Sequence, residues 1–229
     1  ALSGIPGSAG ATPVQNVGAY GAEIADVLTR VRLHNRETGV DEWASASSLD
    51  LAYRYSNLKF TSRAVVLEIE LQLEKTDESI PLRHLGGARV PLAQARESVL
   101  ETRRAKGMVL DASDHDTWSA GSFFTNPVVP SALADEIAAH VGEDAMPRFA
   151  AGDGKEKLSA AWLIERAGCH RGFPGDDAPA RLSTKHTLAL TNRGNASAAD
   201  IVDLARRVQA QVRDAFGVEL HPEPVWVGL

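Results

Sequence analysis

The strongest constraint on the fold is a change in hydrophobic periodicity near Lys106. Before this point apolar and polar residues alternate, so that Thr29, Val31 and Leu33 are predicted to share one face of a strand. The same alternation predicts a hairpin turn and two further strands, at residues 36–39, 40–44 and 65–73. The last of these strands places four apolar side chains on one face, those of Leu67, Ile69, Leu71 and Leu73. The first part of the chain is therefore predicted to be antiparallel β.

Beyond Lys106 the apolar residues recur at helical spacing. A helix that begins near Pro91 connects the two parts, and three later helices and one strand are predicted at residues 131–140, 158–167, 198–216 and 187–190. The helix at 198–216 has the clearest boundaries, because Ser197 is a capping residue and Gly217 is a typical stop. The patterns predict an α+β protein with two parts, divided near Lys106.

Composition restricts the possible partners of the protein more than it restricts the fold. The 229 residues include 24 Lys and Arg against 30 Asp and Glu, a net charge of -6, without a basic block that would neutralise nucleic-acid phosphates. No apolar run reaches the roughly 18 residues that a membrane helix needs. The lone Cys169 cannot form an internal disulfide, and no cysteine or histidine spacing indicates a metal site. We predict a cytoplasmic protein with no nucleic-acid, membrane or metal partner.

Glycine and proline crowd the N-terminal segment up to Gly21, before any periodic pattern begins. Glycine lets a backbone approach a flat or phosphorylated ligand closely, and Ser8, Gln15 and Asn16 are able to form directed hydrogen bonds. The segment does not match the dinucleotide pattern G-x-G-x-x-G, and composition alone favours a glycine-rich loop without a ligand. Because a free terminus gains little from such turn chemistry, we also expect residues upstream in the natural polypeptide.

Two motifs carry groups that suit catalysis. Tyr53-Arg54-Tyr55-Ser56 flanks a guanidinium with aromatic rings, which suits rigid binding of an anionic group, although a solvated arginine at a strand end is the simpler interpretation. Ser122 lies between a glycine and two phenylalanines, where an apolar pocket would hold one deliverable proton. No G-x-S-x-G elbow surrounds it, so it is not predicted to be an acyl-transfer nucleophile, and a turn serine remains the alternative.

Three further sites are weaker candidates. Prolines on both sides stiffen the backbone of Glu223, which either points into a site or is solvated. Asp114-His115-Asp116 resembles a metal or base cluster, but contiguous side chains point in diverging directions. Lys185 and His186 open a predicted strand, where an exposed position and a phosphate contact are both consistent with the sequence.

Seven segments occur in the order found in the UDP-N-acetylenolpyruvoylglucosamine reductase (MurB) family, and the chain resembles the C-terminal two thirds of its members. The segments are residues 4–23, 53–59, 106–110, 121–127, 157–164, 183–186 and 222–223. The resemblance implies the C-terminal part of a two-lobed, antiparallel β-rich FAD-binding fold at residues 1–105. It also implies a separate α+β substrate-binding domain at residues 106–216. A C-terminal segment at residues 217–229 would then return to the active site.

Members of this family use FAD and NADPH to reduce the enolpyruvyl ether of UDP-N-acetylglucosamine enolpyruvate, giving UDP-N-acetylmuramate for peptidoglycan. The resemblance implies that Arg54 and Glu223 stabilise charge on the substrate carboxylate and that Ser122 protonates the neighbouring carbon. The cofactor-binding residues that it implies are Ile5, Ser8, Gly10, Gln15, Asn16 and Gly18. The substrate-binding residues that it implies are Tyr53, Lys106, Asn126 and His186.

The resemblance also has a departure, because family members carry a long FAD-binding segment before the one with which this chain begins. We therefore expect this chain to be a fragment of a monomeric enzyme. Two alternatives remain open, a catalytically silent module that binds a nucleotide sugar and a flavoprotein oxidase that shares the FAD fold.

Overall fold

The computed structural model describes residues 1–142 and 146–228 and divides into two compact units, Ala1–Arg104 and Ala105–Leu229. Helices and strands alternate irregularly, and every sheet is small and antiparallel. This arrangement is the predicted α+β class. In the described residues, no helix combines the length and the apolar character required to cross a membrane.

The first unit is built on a three-stranded antiparallel sheet. Its elements are β1 (Gly18–Ala19), β2 (Ala22–Glu23), β3 (Leu28–Asn35), β4 (Asp41–Ser45), β5 (Ala64–Leu71) and most of helix α1 (Leu92–Ala105). β3 lies between β4 and β5, while β1 and β2 form a separate small hairpin. The predicted turn between β3 and β4 is confirmed, because the Gly39 N–H donates to the Asn35 carbonyl at 2.8 Å with Gly39 at a φ of +70°. Val31 and Leu33 are buried on the sheet face that packs on the small core of this unit.

Two bulges interrupt the alternation that the sequence predicted for β3 and β5. Leu28 pairs with Leu71 but Arg30 with Glu70, which leaves Thr29 as the extra residue of β3. In β5 the extra residue is Leu67. Each bulge shifts the side-chain alternation by one position.

The apolar face predicted for the strand at residues 65–73 is confirmed at Ile69 and wrong at Leu67, Leu71 and Leu73. Val66 and Ile69 pack against the core. Leu67, Leu71 and Leu73 are 41%, 36% and 66% exposed. Thr29 is likewise exposed, and its hydroxyl donates to the Glu70 carbonyl at 2.8 Å.

The second unit packs its helices around short strands. Its elements are β6 (Val128–Pro130), α2 (Ser131–Val141), β7 (Arg148–Ala150), β8 (Lys155–Leu158), α3 (Ala160–Arg166), β9 (Ala180–Leu182), β10 (Leu190–Asn192) and α4 (Ala198–Phe216). β8 is the central strand of one sheet, and β9 pairs with β10 in another. The apolar stripe of α4, which includes Leu204, Val208 and Val212, packs into the core of this unit.

The boundaries of α4 match the prediction. Ser197 and Asp200 form a reciprocal capping box at its start, and Gly217 ends it at a φ of +65°. The strand predicted at residues 187–190 is wrong, because β10 begins only at Leu190. A turn precedes β10, in which the Ala189 N–H donates to the His186 carbonyl at 3.0 Å. This local hydrogen bond removes His186 from any strand.

Candidate functional site

The predicted Ser122 and Glu223 lie in neighbouring segments of the second unit. The Glu223 N–H donates to the carbonyl of Phe123, the residue after Ser122, at 2.8 Å. Further along the loop, the Thr125 N–H donates to the His221 carbonyl at 3.0 Å. The segment at residues 221–223 therefore runs beside the loop at residues 121–127. Glu223 is half-buried there.

A second segment holds the other side of the same loop. The Phe123 N–H donates to the Leu188 carbonyl at 2.8 Å, which ties the loop to the turn at residues 183–189. Phe123 and Phe124 are both buried in the core, so the loop has an apolar base. Ser122, next to Phe123 in sequence, is half-buried.

The side chain of His186 reaches Ser122. The distance between Ser122 Oγ and His186 Nε2 is 3.3 Å, a hydrogen bond across 64 positions of the sequence. The buried Ser183 holds the turn that presents the imidazole, since its hydroxyl oxygen accepts the N–H groups of Lys185 at 3.0 Å and His186 at 3.3 Å. The structure thus pairs two residues that the sequence assigned to different tasks.

The surroundings of His186 keep its imidazole neutral. Burial, reinforced by the positive charges of Lys106 and Arg171, lowers the pKa of His186 to about 4, while Glu165 acts in the opposite direction. Glu165 itself accepts a hydrogen bond from the Thr187 hydroxyl at 2.5 Å and lies 3.7 Å from Arg171 Nε. The cations make this part of the second unit electropositive, which suits an anionic ligand.

Lys106 and Asn126, two other residues predicted to bind substrate, differ in their exposure and contacts. Lys106 is exposed, with its charge felt at His186. Asn126 is half-buried, and its side-chain oxygen accepts the N–H of Ala160 at 3.0 Å, so it anchors the start of α3. This contact leaves the amide NH₂ group of Asn126 for a substrate role.

Asp114 and Asp116 have structural partners rather than a metal-binding geometry. Asp114 accepts a hydrogen bond from Lys185 Nζ at 2.5 Å. The buried Asp116 accepts the Thr184 N–H at 2.9 Å and pairs with Arg193 at 3.1 Å. Among residues 1–142 and 146–228, no group of three metal-binding side chains comes together.

In the first unit, several contacts fix the backbone and side chain of Arg54. The residue has a φ of +54°, and its Nη2 donates to the Gly18 carbonyl at 2.8 Å. Its guanidinium lies 5.1 Å from the ring centroid of Tyr53, which is itself exposed. The buried Lys59 donates to the Arg54 carbonyl at 3.1 Å and to Gln15 Oε1 at 3.2 Å. A lysine thereby stabilises an arginine backbone in the left-handed region that such residues seldom adopt.

The glycine-rich segment contains both open backbone and tightly packed backbone. Gly7 has a φ of +114° with open space where a side chain would be, and the neighbouring Ser8 is exposed. Gly18 is tightly enclosed, because a Cβ there would lie 2.9 Å from the Ala22 carbonyl and 3.2 Å from Arg54 Nη1. Ile5 is half-buried, and Gly10 lies close to the Val66 carbonyl.

The buried Asn16 uses its side chain within the protein. Its amide NH₂ donates to Glu23 Oε2 at 2.8 Å and to the Ala52 carbonyl at 3.1 Å, and its oxygen accepts the Ala25 N–H at 3.0 Å. Asn16 therefore ties the glycine-rich segment to the chain that precedes Arg54. The resemblance implied a cofactor contact for this residue, and in the structure its backbone N–H also has an internal partner, the Pro13 carbonyl at 3.3 Å.

Sequence reasoning did not assign roles to Lys59 or Arg171. Lys59 belongs to the motif that contains Arg54, so the motif spacing was the available signal. Arg171 lies in an irregular segment whose position near His186 depends on long-range packing, and no local pattern indicated it.

Comparison with known proteins finds relatives over the whole length of this chain. The protein-family model for the C-terminal domain of UDP-N-acetylenolpyruvoylglucosamine reductase matches residues 112–227. The chain is 64% identical to UDP-N-acetylenolpyruvoylglucosamine reductase 2 of Corynebacterium glutamicum, over 100% of this chain and 65% of that protein. It is 58% identical to the reductase of Mycolicibacterium gilvum, over 99% of this chain and 67% of that protein.

A solved structure shares the fold. The crystal structure of UDP-N-acetylenolpyruvylglucosamine reductase (MurB) from Thermus caldophilus matches 97% of this chain and 61% of its own chain, with a TM-score of 0.61 at 23% identity. The present chain belongs to the UDP-N-acetylenolpyruvoylglucosamine reductase (MurB) family. It corresponds to the C-terminal part of its relatives and spans 65% of the length of the Corynebacterium glutamicum reductase.

Proposed function

We propose that this chain carries the catalytic residues of a flavin-dependent reductase that acts on UDP-N-acetylglucosamine enolpyruvate. The product would be UDP-N-acetylmuramate, a peptidoglycan precursor, and NADPH would be the reductant. The observation that carries this proposal is the position of Ser122, half-buried over an apolar base and beside the segment that contains Glu223. Membership of the family supports the choice of substrate.

The glycine-rich segment is compatible with FAD. The open backbone at Gly7 and the exposed Ser8 leave room for close approach by a ligand, which a Cβ-bearing chain would restrict. We assign FAD contacts to this segment, through Ile5, Ser8, Gly10, Gln15, Asn16 and Gly18, in which the side chains of Gln15 and Asn16 hold the local backbone in place. FAD, when bound, would supply two-electron chemistry between NADPH and the enolpyruvyl group.

Arg54 and Glu223 are proposed to stabilise the negative charge that develops on the substrate during reduction. Reduction of the double bond places negative charge on the substrate carboxylate, and a planar guanidinium that cannot lose its proton is suited to bind it. The contacts of Arg54 with Gly18 and Tyr53 restrict its side chain before substrate binds, which lowers the cost of ordering it. Glu223, stiffened by Pro222 and Pro224, is proposed to support the same step.

Ser122 is proposed to complete the reduction with a proton. Its Oγ–H bond breaks as a C–H bond forms at the carbon next to the carboxylate, and the electron pair of the former O–H bond stays on Oγ. Solvent water then returns a proton to Oγ. Phe123 and Phe124, buried next to Ser122 in the loop, make one side of this site apolar.

Lys106, Tyr53, Asn126 and His186 are proposed to bind the substrate or to lie close to it. The exposed charge of Lys106 suits a diphosphate. The other three would contribute hydrogen bonds or ring contacts rather than charge, since His186 is neutral.

The substitution Ser122→Ala tests the proposal. In the flavin-loaded enzyme, bleaching of the flavin absorbance by NADPH should keep its rate, while restoration of the absorbance by the enolpyruvyl substrate should slow by about 10²-fold to 10⁴-fold. Ser113→Ala, at an exposed loop serine of the same unit, is the matched control and should change neither rate.

Three outcomes would reject the proposed function. If no flavin is retained and only the nucleotide sugar binds, the silent module is correct. If oxygen rather than substrate restores the absorbance, the oxidase is correct. Equal slowing of both half-reactions would remove Ser122 as the proton donor.

A further inference from the structure

We infer that His186 is a positioning residue for Ser122, with its neutral imidazole donating the Nε2–H to Ser122 Oγ. This inference rests on the proposed function, in which Ser122 gives up its own proton. The 3.3 Å separation between the two atoms is the geometric basis. With Oγ accepting from the imidazole, the serine O–H is directed away from His186 and toward the bound substrate.

The backbone around both residues is fixed, so the contact is not that of two mobile surface side chains. Leu188 and Phe123, which follow His186 and Ser122 closely in sequence, are joined by a hydrogen bond of 2.8 Å. Ser183 accepts the His186 N–H from within the same turn and is itself fully buried. Positions of this kind hold a catalytic geometry within the narrow limits that proton transfer needs.

The charges around His186 favour a hydrogen-bond donor over a general base. Burial together with Lys106 and Arg171 lowers its pKa to about 4, so the ring has little tendency to take the serine proton. The carboxylate of Glu165 is bound by the Thr187 hydroxyl and lies near Arg171. Within the part of the chain that the structure describes, no carboxylate forms a hydrogen bond with the imidazole, so the arrangement differs from a Ser-His-acid triad.

The consequence for the reaction is stabilisation of the charge left on the serine. When the Oγ–H proton moves to the substrate carbon, the electron pair remains on Oγ, and the Nε2–H bond points at the oxygen that becomes negative. The N–H bond does not break. Solvent water reprotonates Oγ, so atoms and charge balance without a further reactant.

Matched substitutions at position 186 separate a hydrogen bond from a steric role. Gln and Met have similar length, but only Gln carries an N–H near the position of Nε2. We expect His186→Met to slow the substrate half-reaction by about 10²-fold and His186→Gln by less than about 10-fold. NADPH reduction should stay unchanged in both. His140→Met, at an exposed position of α2, is the control and should have no effect.

A double-mutant cycle tests whether His186 acts through Ser122. In the Ser122→Ala background, His186→Met should cause no additional slowing, because the acceptor is already missing. Independent losses that multiply would overturn the inference. A raised KM with an unchanged substrate half-reaction would also overturn it, since His186 would then act only as a substrate ligand and not through Ser122.

A spectroscopic measurement provides a readout that does not depend on turnover. In the ¹⁵N-labelled protein near neutral pH, the His186 imidazole should be the neutral tautomer with its proton on Nε2. A proton on Nδ1, or on both nitrogens, would overturn the inference. If Ser122→Ala leaves both half-reactions intact, the proposed function fails. If Ser122→Ala is severe while His186→Met is silent, only the inference about His186 fails.

Discussion

At the scale of single residues, the protein fixes polar groups by surrounding them with backbone partners. Arg54 is held by Gly18 and Lys59, and Ser122 by the segments around it. The side chain of Asn16, which is 1% exposed, forms hydrogen bonds with the Glu23 side chain and with the backbone of Ala52 and Ala25. Such contacts restrict each group before any ligand arrives.

Replacing Arg54 by lysine should remove the planar fork while keeping a positive charge. A lysine ammonium cannot bind a carboxylate with two parallel hydrogen bonds, so we expect the substrate half-reaction to slow by about 10²-fold. The flavin reduction rate should be unchanged. Arg63→Lys, at an exposed arginine of the same unit, is the control. Turnover close to that of the wild type would contradict a role for the guanidinium.

Two glycines of the N-terminal segment should respond differently to alanine. At Gly18 a Cβ would lie 2.9 Å from the Ala22 carbonyl, so the β1–β2 hairpin must shift and stability should fall by about 1–3 kcal/mol. At Gly10 the nearest atom would be 3.4 Å away, so Gly10→Ala should keep or slightly raise stability. Urea unfolding followed by circular dichroism measures both. Equal stability of the two variants would contradict the packing at Gly18.

Acidification should reveal the environment of His186. Its ordinary pKa is 6.5 and its pKa in the folded protein is about 4, lowered first by burial and then by Lys106 and Arg171, with Glu165 opposing them. Between these values the unfolded chain binds a proton that the folded chain does not. The contribution of the neutral His186 to the free energy of unfolding is therefore complete above pH 6.5. It is lost as the pH falls from 6.5 toward 4.

The contribution of His186 to the free energy of unfolding is on the order of 3 kcal/mol. Urea unfolding at a series of pH values across this window should give a smaller pH slope for His186→Gln than for the wild type. Parallel slopes would show that another group causes the acid sensitivity.

At the scale of elements, the helices follow local signals and the catalytic segments do not. α4 has its cap, its apolar stripe and its terminal glycine in adjoining residues. The loop at residues 121–127 and the turn at residues 183–189 have no periodic pattern and depend on hydrogen bonds to distant segments. Regular elements thus provide the core, while irregular segments carry the candidate site.

The capping box of α4 gives a prediction at this scale. Ser197→Ala removes the side chain that accepts the Asp200 N–H, so the free energy of unfolding should fall by about 1 kcal/mol. Ser197→Thr, which retains a hydroxyl that accepts the Asp200 N–H and donates to the Asp200 carboxylate, should lose much less. Urea unfolding at neutral pH distinguishes them. The cap would be unimportant if the alanine and threonine variants were equally stable.

At the scale of the whole molecule, the two units have separate cores of different size. The core of Ala105–Leu229 includes residues from α2, α3 and α4 as well as the loop around Phe123. The core of Ala1–Arg104 consists mainly of a few buried residues on one sheet face, such as Val31 and Leu33. A small core supplies little stability of its own.

We expect residues 105–229, expressed as a separate fragment, to unfold cooperatively in urea. Residues 1–104 should be much less stable when isolated, because less apolar surface is buried there. Circular dichroism and the denaturant midpoint compare the fragments. A fragment of residues 105–229 without a cooperative transition would contradict the independence of its core.

Local spacing in the sequence was sufficient for the β3–β4 hairpin and for α4. These features depend on residues two to four positions apart, whose contacts are set by the geometry of a strand or helix. The roles of Ser122, Glu223 and His186 came from the family resemblance, since local patterns left simpler interpretations open for each. The joint action of Arg54 with Ser122 and Glu223 on one substrate stays a prediction, since these residues belong to different units.

Only the tertiary structure decided the bulges at Thr29 and Leu67, the turn that replaces the strand at residues 187–190, and the contact between Ser122 and His186. Strand register depends on the partner strand, and a hydrogen bond across 64 positions depends on how the intervening elements pack. The sequence determined which chemical groups the protein carries and where its regular elements begin. Long-range packing determined which of those groups meet.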